Sequence, residues 1–229
     1  MERITVSFVM KWRCTILLVS LVCFLGIFPF LKGTAAADAA MALTVSMVIL
    51  TATIASLGNG KHFFYVLFLA VLAFLLEWIA VGEGVSQIKL WSDVSNIVLW
   101  IYVIVLLMVY VLEPGPVTAD EISGAISVYF LLAIVWSLVH TSVEYYVPGS
   151  YSNVGEGDDQ RMNFLYFSFV TLTTLGYGDI APIDARSKML AVLEASTGVL
   201  FIAVMVARLV GEYGQLRAES HRKNGPDAD

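Results

Sequence analysis

A chain of 229 residues with 59% hydrophobic and only 14% charged positions, at a mean hydropathy of +0.81, has the composition of a membrane protein. Soluble domains carry about a quarter charged residues, so a soluble enzyme or scaffold does not fit. The 19 acids and 13 bases leave a net charge of −6, which argues against a nucleic-acid partner.

Apolar runs long enough to cross a bilayer of about 30 Å begin near the N-terminus. They predict four transmembrane helices near residues 14–31, 39–57, 62–82 and 94–112. The only two cysteines, Cys14 and Cys23, share the first run. On a helix they stand roughly 13 Å apart on opposite faces, so they read as packing or lipid-facing residues, not as a disulfide or a metal site. The basic start, the apolar core and Thr34-Ala35-Ala36-Ala37 also fit a cleaved signal peptide. Its removal would not reverse the remaining spans.

Glu113-Pro114-Gly115-Pro116 stops the fourth helix and opens a linker over 113–120. An outer helix is expected over 121–143 and an inner helix over 187–211, followed by a short polar cytoplasmic tail, 212–229. Between the two helices, 161–174 is apolar and aromatic but too short to span. That length suits a re-entrant helix, and non-helical backbone at membrane depth requires cover from protein or water, so a cavity is implied. With six spans both termini share one side. Arg3, Lys11, Arg13, Lys61, Arg208, Arg217, Arg222 and Lys223 on that side outnumber Lys32, Lys89, Arg161, Arg186 and Lys188, placing the termini in the cytoplasm.

The re-entrant helix runs into Thr173-Thr174-Leu175-Gly176-Tyr177-Gly178-Asp179. Alternating glycines reach backbone conformations closed to other residues, so successive carbonyls can turn the same way. Tyr166, Phe167 and Tyr177 are placed to form an aromatic collar, with Asp179 accepting a hydrogen bond from Tyr166. Among the residues from 144 to 188, the acids Glu144, Glu156, Asp158, Asp159, Asp179 and Asp184 face the bases Arg161, Arg186 and Lys188. The excess of negative charge would concentrate cations at an outer mouth.

Residues 121–213 resemble the pore module of the potassium channel family: outer helix, pore helix, filter and inner helix. The likeness rests on Leu165-Tyr166-Phe167-Ser168-Phe169-Val170, on Thr174 to Asp179 and on Ala207-Arg208-Leu209-Val210-Gly211, and is nearest to small bacterial channels that lack a cytoplasmic regulatory domain. It implies an all-α membrane protein assembled as a homotetramer in a lipid bilayer, in the bacterial inner membrane. Rings of four carbonyls from Thr174, Leu175, Gly176 and Tyr177, with the Thr174 hydroxyls, would replace the water around potassium ions, as in the TVGYG filter. Leu175 stands where that filter has Val, and Thr173 and Gly178 complete the frame. K+ is the ion carried, and no organic cofactor is implied. Gly198 matches the inner-helix hinge, although a glycine in a membrane helix is as often a close-packing contact. Val199, Ile202 and Val206 match cavity-lining residues, with Val210 near the inner constriction.

The fourth span, 94–112, contains no Arg or Lys, and the linker contributes Glu113, Asp120 and Glu121 instead. Gating charges are worth about 2.3 kcal/mol each per 100 mV, so a conventional voltage sensor is absent. The first four helices are expected to form a collar that supports assembly. Glu77 and Glu194 lie at membrane depth and are candidates for pH-sensitive gating. The alternative is a protonated or hydrogen-bonded structural acid, with His140 or Thr197 as partner. A non-conducting or regulatory subunit that kept a pore fold is the second functional reading. A transporter built of four joined modules is a third, and no nucleophile–base–metal constellation supports an enzyme.

Overall fold

The computed structural model describes residues 12–27, 30, 61–83, 86–115, 117–155 and 158–223. In chain order these form α1 (Arg13–Ile27), α2 (Lys61–Glu83), α3 (Ser86–Val111), α4 (Ala119–Tyr146), β1 (Tyr151–Ser152), α5 (Asp158–Leu172), β2 (Ala181–Pro182) and α6 (Ala185–Lys223). Among the described residues three helices are long and apolar enough to cross a membrane, over Trp91–Val111, Ala119–Tyr146 and Ala185–Glu212. The expected second span, 39–57, lies outside the described residues.

Helix α4 is the hub, with α1, α3 and α5 packed on it. Its start is fixed by Thr118, whose extended backbone (φ −95°, ψ 159°) and hydroxyl cap the Glu121 amide at 3.2 Å. The main core joins Leu17 and Leu21 of α1, Val66 of α2, Leu99 and Val103 of α3 and Leu131 of α4, all essentially unexposed. Gly124 of α4 allows α1 to approach, since an added Cβ would meet Val111 Cγ2 at 3.0 Å and Cys14 Sγ at 3.4 Å. Cys14 is therefore a packing residue and Cys23 is exposed; neither is in a disulfide.

Asp120 does more than lie in an acidic linker. Buried at the start of α4, it accepts hydrogen bonds from the amides of Cys14 and Thr15, each at 3.1 Å, and so caps α1 from another element. Arg13 lies over the Tyr110 ring at 4.1 Å, and Arg208 of α6 donates to the Glu113 carbonyl at 2.8 Å and to Glu121 at 3.4 Å. The start of α1, the end of α3, the start of α4 and the far end of α6 thus meet at one face. At the opposite end Asp93 of α3 pairs with Arg161 of α5 at 2.5 Å.

The short antiparallel bridge, Tyr151 opposite Pro182 and Ser152 opposite Ala181, is too brief to leave a period in the sequence. It ties the loop before α5 to the loop after residue 178.

Candidate functional site

Helix α5 runs from Asp158 to Leu172, starting earlier and ending sooner than the expected 161–174. Its inward residues are fixed by polar contacts as well as packing. Tyr129 of α4 donates to the Leu172 carbonyl at 3.1 Å, and Ser168 donates to the Ala133 carbonyl at 2.6 Å. Thr173 turns its hydroxyl back onto the Phe169 carbonyl at 2.6 Å, closing the helix end.

The segment that follows has an uncommon backbone. Thr174, Gly176 and Gly178 have φ of 59°, 56° and 76°, while Leu175 and Tyr177 between them do not take positive values. Glycine reaches such angles at little cost; Thr174 does so against its β-branched side chain. Alternation of left- and right-handed residues places successive amides on one side and successive carbonyls on the other. The amides do turn back: Thr174 N donates to Thr171 O at 2.9 Å, and Leu175 N and Gly176 N share Val170 O at 2.9 and 3.2 Å. No described residue donates a hydrogen bond to the carbonyls of residues 174–178. Every residue from Thr173 to Asp179 is exposed in a single subunit, Leu175 at 57% and Tyr177 at 69%.

The loop after the segment is stitched down. Asn153 donates to the Asp179 carbonyl at 2.9 Å, Ala181 N to Ser152 Oγ at 3.1 Å, and Ile183 N to Ser150 O at 2.7 Å. Tyr166 lies beside Asp179, whose carboxylate raises its phenol above the ordinary value of 10.0. Phe167 departs from the expected collar. It is buried, with its ring edge-on to His140 at 5.1 Å and to Tyr151 at 5.6 Å, so it supports α5 from within. Glu144 also departs from the outer mouth: it is buried and accepts from the Gly149 and Tyr151 amides at 2.7 and 3.2 Å. Because Arg161 is neutralised by Asp93, one acid and one base leave that surface together.

Gly198 lies where α6 crosses the end of α5. A Cβ there would stand 2.2 Å from the Leu172 carbonyl oxygen, so the residue serves close packing, and α6 runs through it as continuous helix. Val199, Ile202, Val206 and Val210, spaced by three or four residues, are each at least half exposed. They form an apolar stripe that no described element of the chain covers fully. Glu77 lies on α2, and its side chain is outside the described residues. Glu194 is fully buried against His140 Nε2 at 2.8 Å; Thr197 instead donates to the Leu193 carbonyl at 2.7 Å and is not its partner.

Sequence reading missed Asp120 as the cap of α1 and Asp93 as the partner of Arg161. The only signal for Asp93 was a charge inside an apolar helix, which already called for a partner.

Residues 124–213 match the family described as ion channel. The chain is similar to Two-pore potassium channel 4 of Arabidopsis thaliana, 47% identical over 20% of this chain and 16% of the relative. It is 34% identical to Two-pore potassium channel 5 of the same plant over 43% of this chain and 22% of the relative. Two pore potassium channel a of Oryza sativa subsp. japonica is 33% identical over 34% of this chain and 22% of the relative. The chain spans 22% or less of the length of each of these relatives. No solved structure gives a significant match. These likenesses, with three helices of membrane-crossing length among the described residues, support a transmembrane protein of potassium-channel type.

Proposed function

We propose that four copies of this chain surround a common axis and conduct potassium ions passively across a bilayer. The sequence holds one filter segment, so a fourfold ring takes four chains. In this reading the carbonyls of Thr174, Leu175, Gly176 and Tyr177, and the Thr174 hydroxyl, replace the hydration shell of K+, with Gly178 completing the alternation. The observation that carries it is the pairing of amides turned back on α5 with carbonyls that have no partner among the described residues. Backbone of that kind survives at membrane depth only where it lines a watery or ionic path.

Other features fit the same reading. The exposed stripe at Val199, Ile202, Val206 and Val210 would line the central cavity and the inner constriction. The carboxyl end of α5 would aim the negative end of its dipole at the axis. Both termini are proposed to lie in the cytoplasm. A bacterial inner membrane is proposed on the resemblance to small bacterial channels, although the curated relatives are plant proteins.

Purified protein in lipid vesicles provides the test. K+ should leave the vesicles far faster than Na+ under the same gradient, and the solubilised particle should have the mass of four chains. A monomeric particle, or no flux of either ion, would favour the rival reading of a non-conducting subunit.

A further inference from the structure

We infer that Glu194 is held as a neutral, protonated acid and is a positioning residue for the pore helix. Four side chains from four elements meet there: His140 of α4, Tyr151 of β1, Ser168 of α5 and Glu194 of α6. Glu194, His140 and Ser168 have no exposed surface at all.

Counting protons settles the charge. His140 Nε2 lies 2.8 Å from Glu194 Oε2, and His140 Nδ1 lies 2.6 Å from the Tyr151 oxygen. Ser168 Oγ contacts both Glu194 Oε1 and, at 2.6 Å, the Ala133 carbonyl. A hydroxyl has one proton and a carbonyl can only accept. With Glu194 ionised, Ser168 would face two acceptors with that single proton, and one close contact would be oxygen against oxygen. A proton on Oε1 removes the conflict. Glu194 then donates to Ser168, Ser168 to Ala133 O, His140 Nε2 to Glu194 Oε2, and Tyr151 to His140 Nδ1. All four contacts become hydrogen bonds and every group is neutral. The ion-pair alternative makes His140 a double donor and leaves the Tyr151 hydroxyl proton without an acceptor among the described residues. It also buries two charges, which is costly in a spanning helix.

The placement gives this network its role. One helical turn after Glu194 comes Gly198, and one turn after Ser168 comes Leu172, the residue whose carbonyl Gly198 approaches. Successive turns of α6 therefore engage successive turns of α5, first by hydrogen bond and then by backbone contact. The hydrogen bond is the directional one. It sets the rotation of α5 and hence the direction in which residues 174–178 leave it. The titratable groups facing the carboxyl are His140 and Tyr129 from α4 and Tyr151 from β1, while α5 offers only Ser168. In this assignment no group of the network carries a charge.

What is positioned depends on the channel reading above, but the protonation state does not. Infrared spectra of the purified full chain in an ester-free detergent at pH 7 should contain a carboxylic-acid carbonyl band. Glu194→Gln should remove it, and Ser168→Ala, which keeps the acid but takes away its acceptor, should shift it. Absence of the band, or indifference to both changes, would overturn the assignment. In vesicles Glu194→Gln, which can still donate and accept, should retain about tenfold more K+ flux than Glu194→Leu. Equal loss in both would overturn the positioning role. Wild-type vesicles that fail to prefer K+ would defeat the channel reading while leaving the infrared result standing.

Discussion

At Gly198 the inner helix comes so near the pore helix that a methyl group would stand 2.2 Å from the Leu172 carbonyl oxygen, and neither backbone can yield cheaply. Gly198→Ala should cost about 1–3 kcal/mol of stability, read as a lower melting temperature of the purified protein. Gly211→Ala, where a Cβ would meet nothing within 4 Å, should instead be neutral or slightly stabilising. A second residue-scale test concerns Asp184. Ser187's side chain and then its amide hold the Asp184 carboxyl below its ordinary value of 3.8. A depressed carboxylate contributes stability above its unfolded value, and that contribution fades as pH falls through the folded one. Unfolding curves at pH 7 and pH 3 should therefore differ less in Asp184→Ala than in the parent chain. At this scale the backbone of the segment Thr174 to Asp179 was the most legible part, because its alternating glycines announce the positive φ found at Gly176 and Gly178. The role of Gly198 was not legible, since what it approaches lies on another helix. Nor was the inward turn of Phe167: in Leu165-Tyr166-Phe167-Ser168-Phe169-Val170 nearly every position is apolar, so periodicity cannot mark a face.

Among the elements, charged side chains tie the helices together at both ends. Asp120 and Arg208 do so at the face shared by the start of α1 and the end of α6, and the Asp93–Arg161 pair does so where α5 begins. A cation in the first turn of a helix opposes the helix dipole, and Asp93 offsets it. Replacing either partner alone, Asp93→Leu or Arg161→Met, should cost roughly 1–3 kcal/mol, while the two together should recover most of the loss. Thermal melts of the three variants decide this, and additive losses would mean that the pair does not act as a unit. Helices were legible from their apolar lengths, although α4 begins at Ala119, inside the expected linker. The Asp93–Arg161 contact was not, because its partners are 68 residues apart and nothing local joins them.

For the whole molecule, the stripe on α6 is uncovered among the described residues and the segment from Thr173 to Asp179 is exposed, as surfaces that meet further copies in the proposed assembly would be. The spanning window Trp91–Val111 contains Asp93 and no basic residue, so moving it through the field transfers little charge. Open probability in planar bilayers should accordingly change only shallowly over 100 mV, against about 2.3 kcal/mol for each charge moved in a sensor-driven channel. Composition and span lengths announced a membrane protein with a short apolar helix between two spans; the proposed number of copies comes from the resemblance and was never written in one chain's periodicity. In the proposed pore the bare carbonyls of residues 174–177 take the place of water around K+ and not around Na+. It is tested most directly by the reversal potential of the purified protein in a planar bilayer with K+ on one side and Na+ on the other. A K+-selective pore displaces the potential strongly toward that of a K+-selective membrane; a reversal near zero would rule such a pore out.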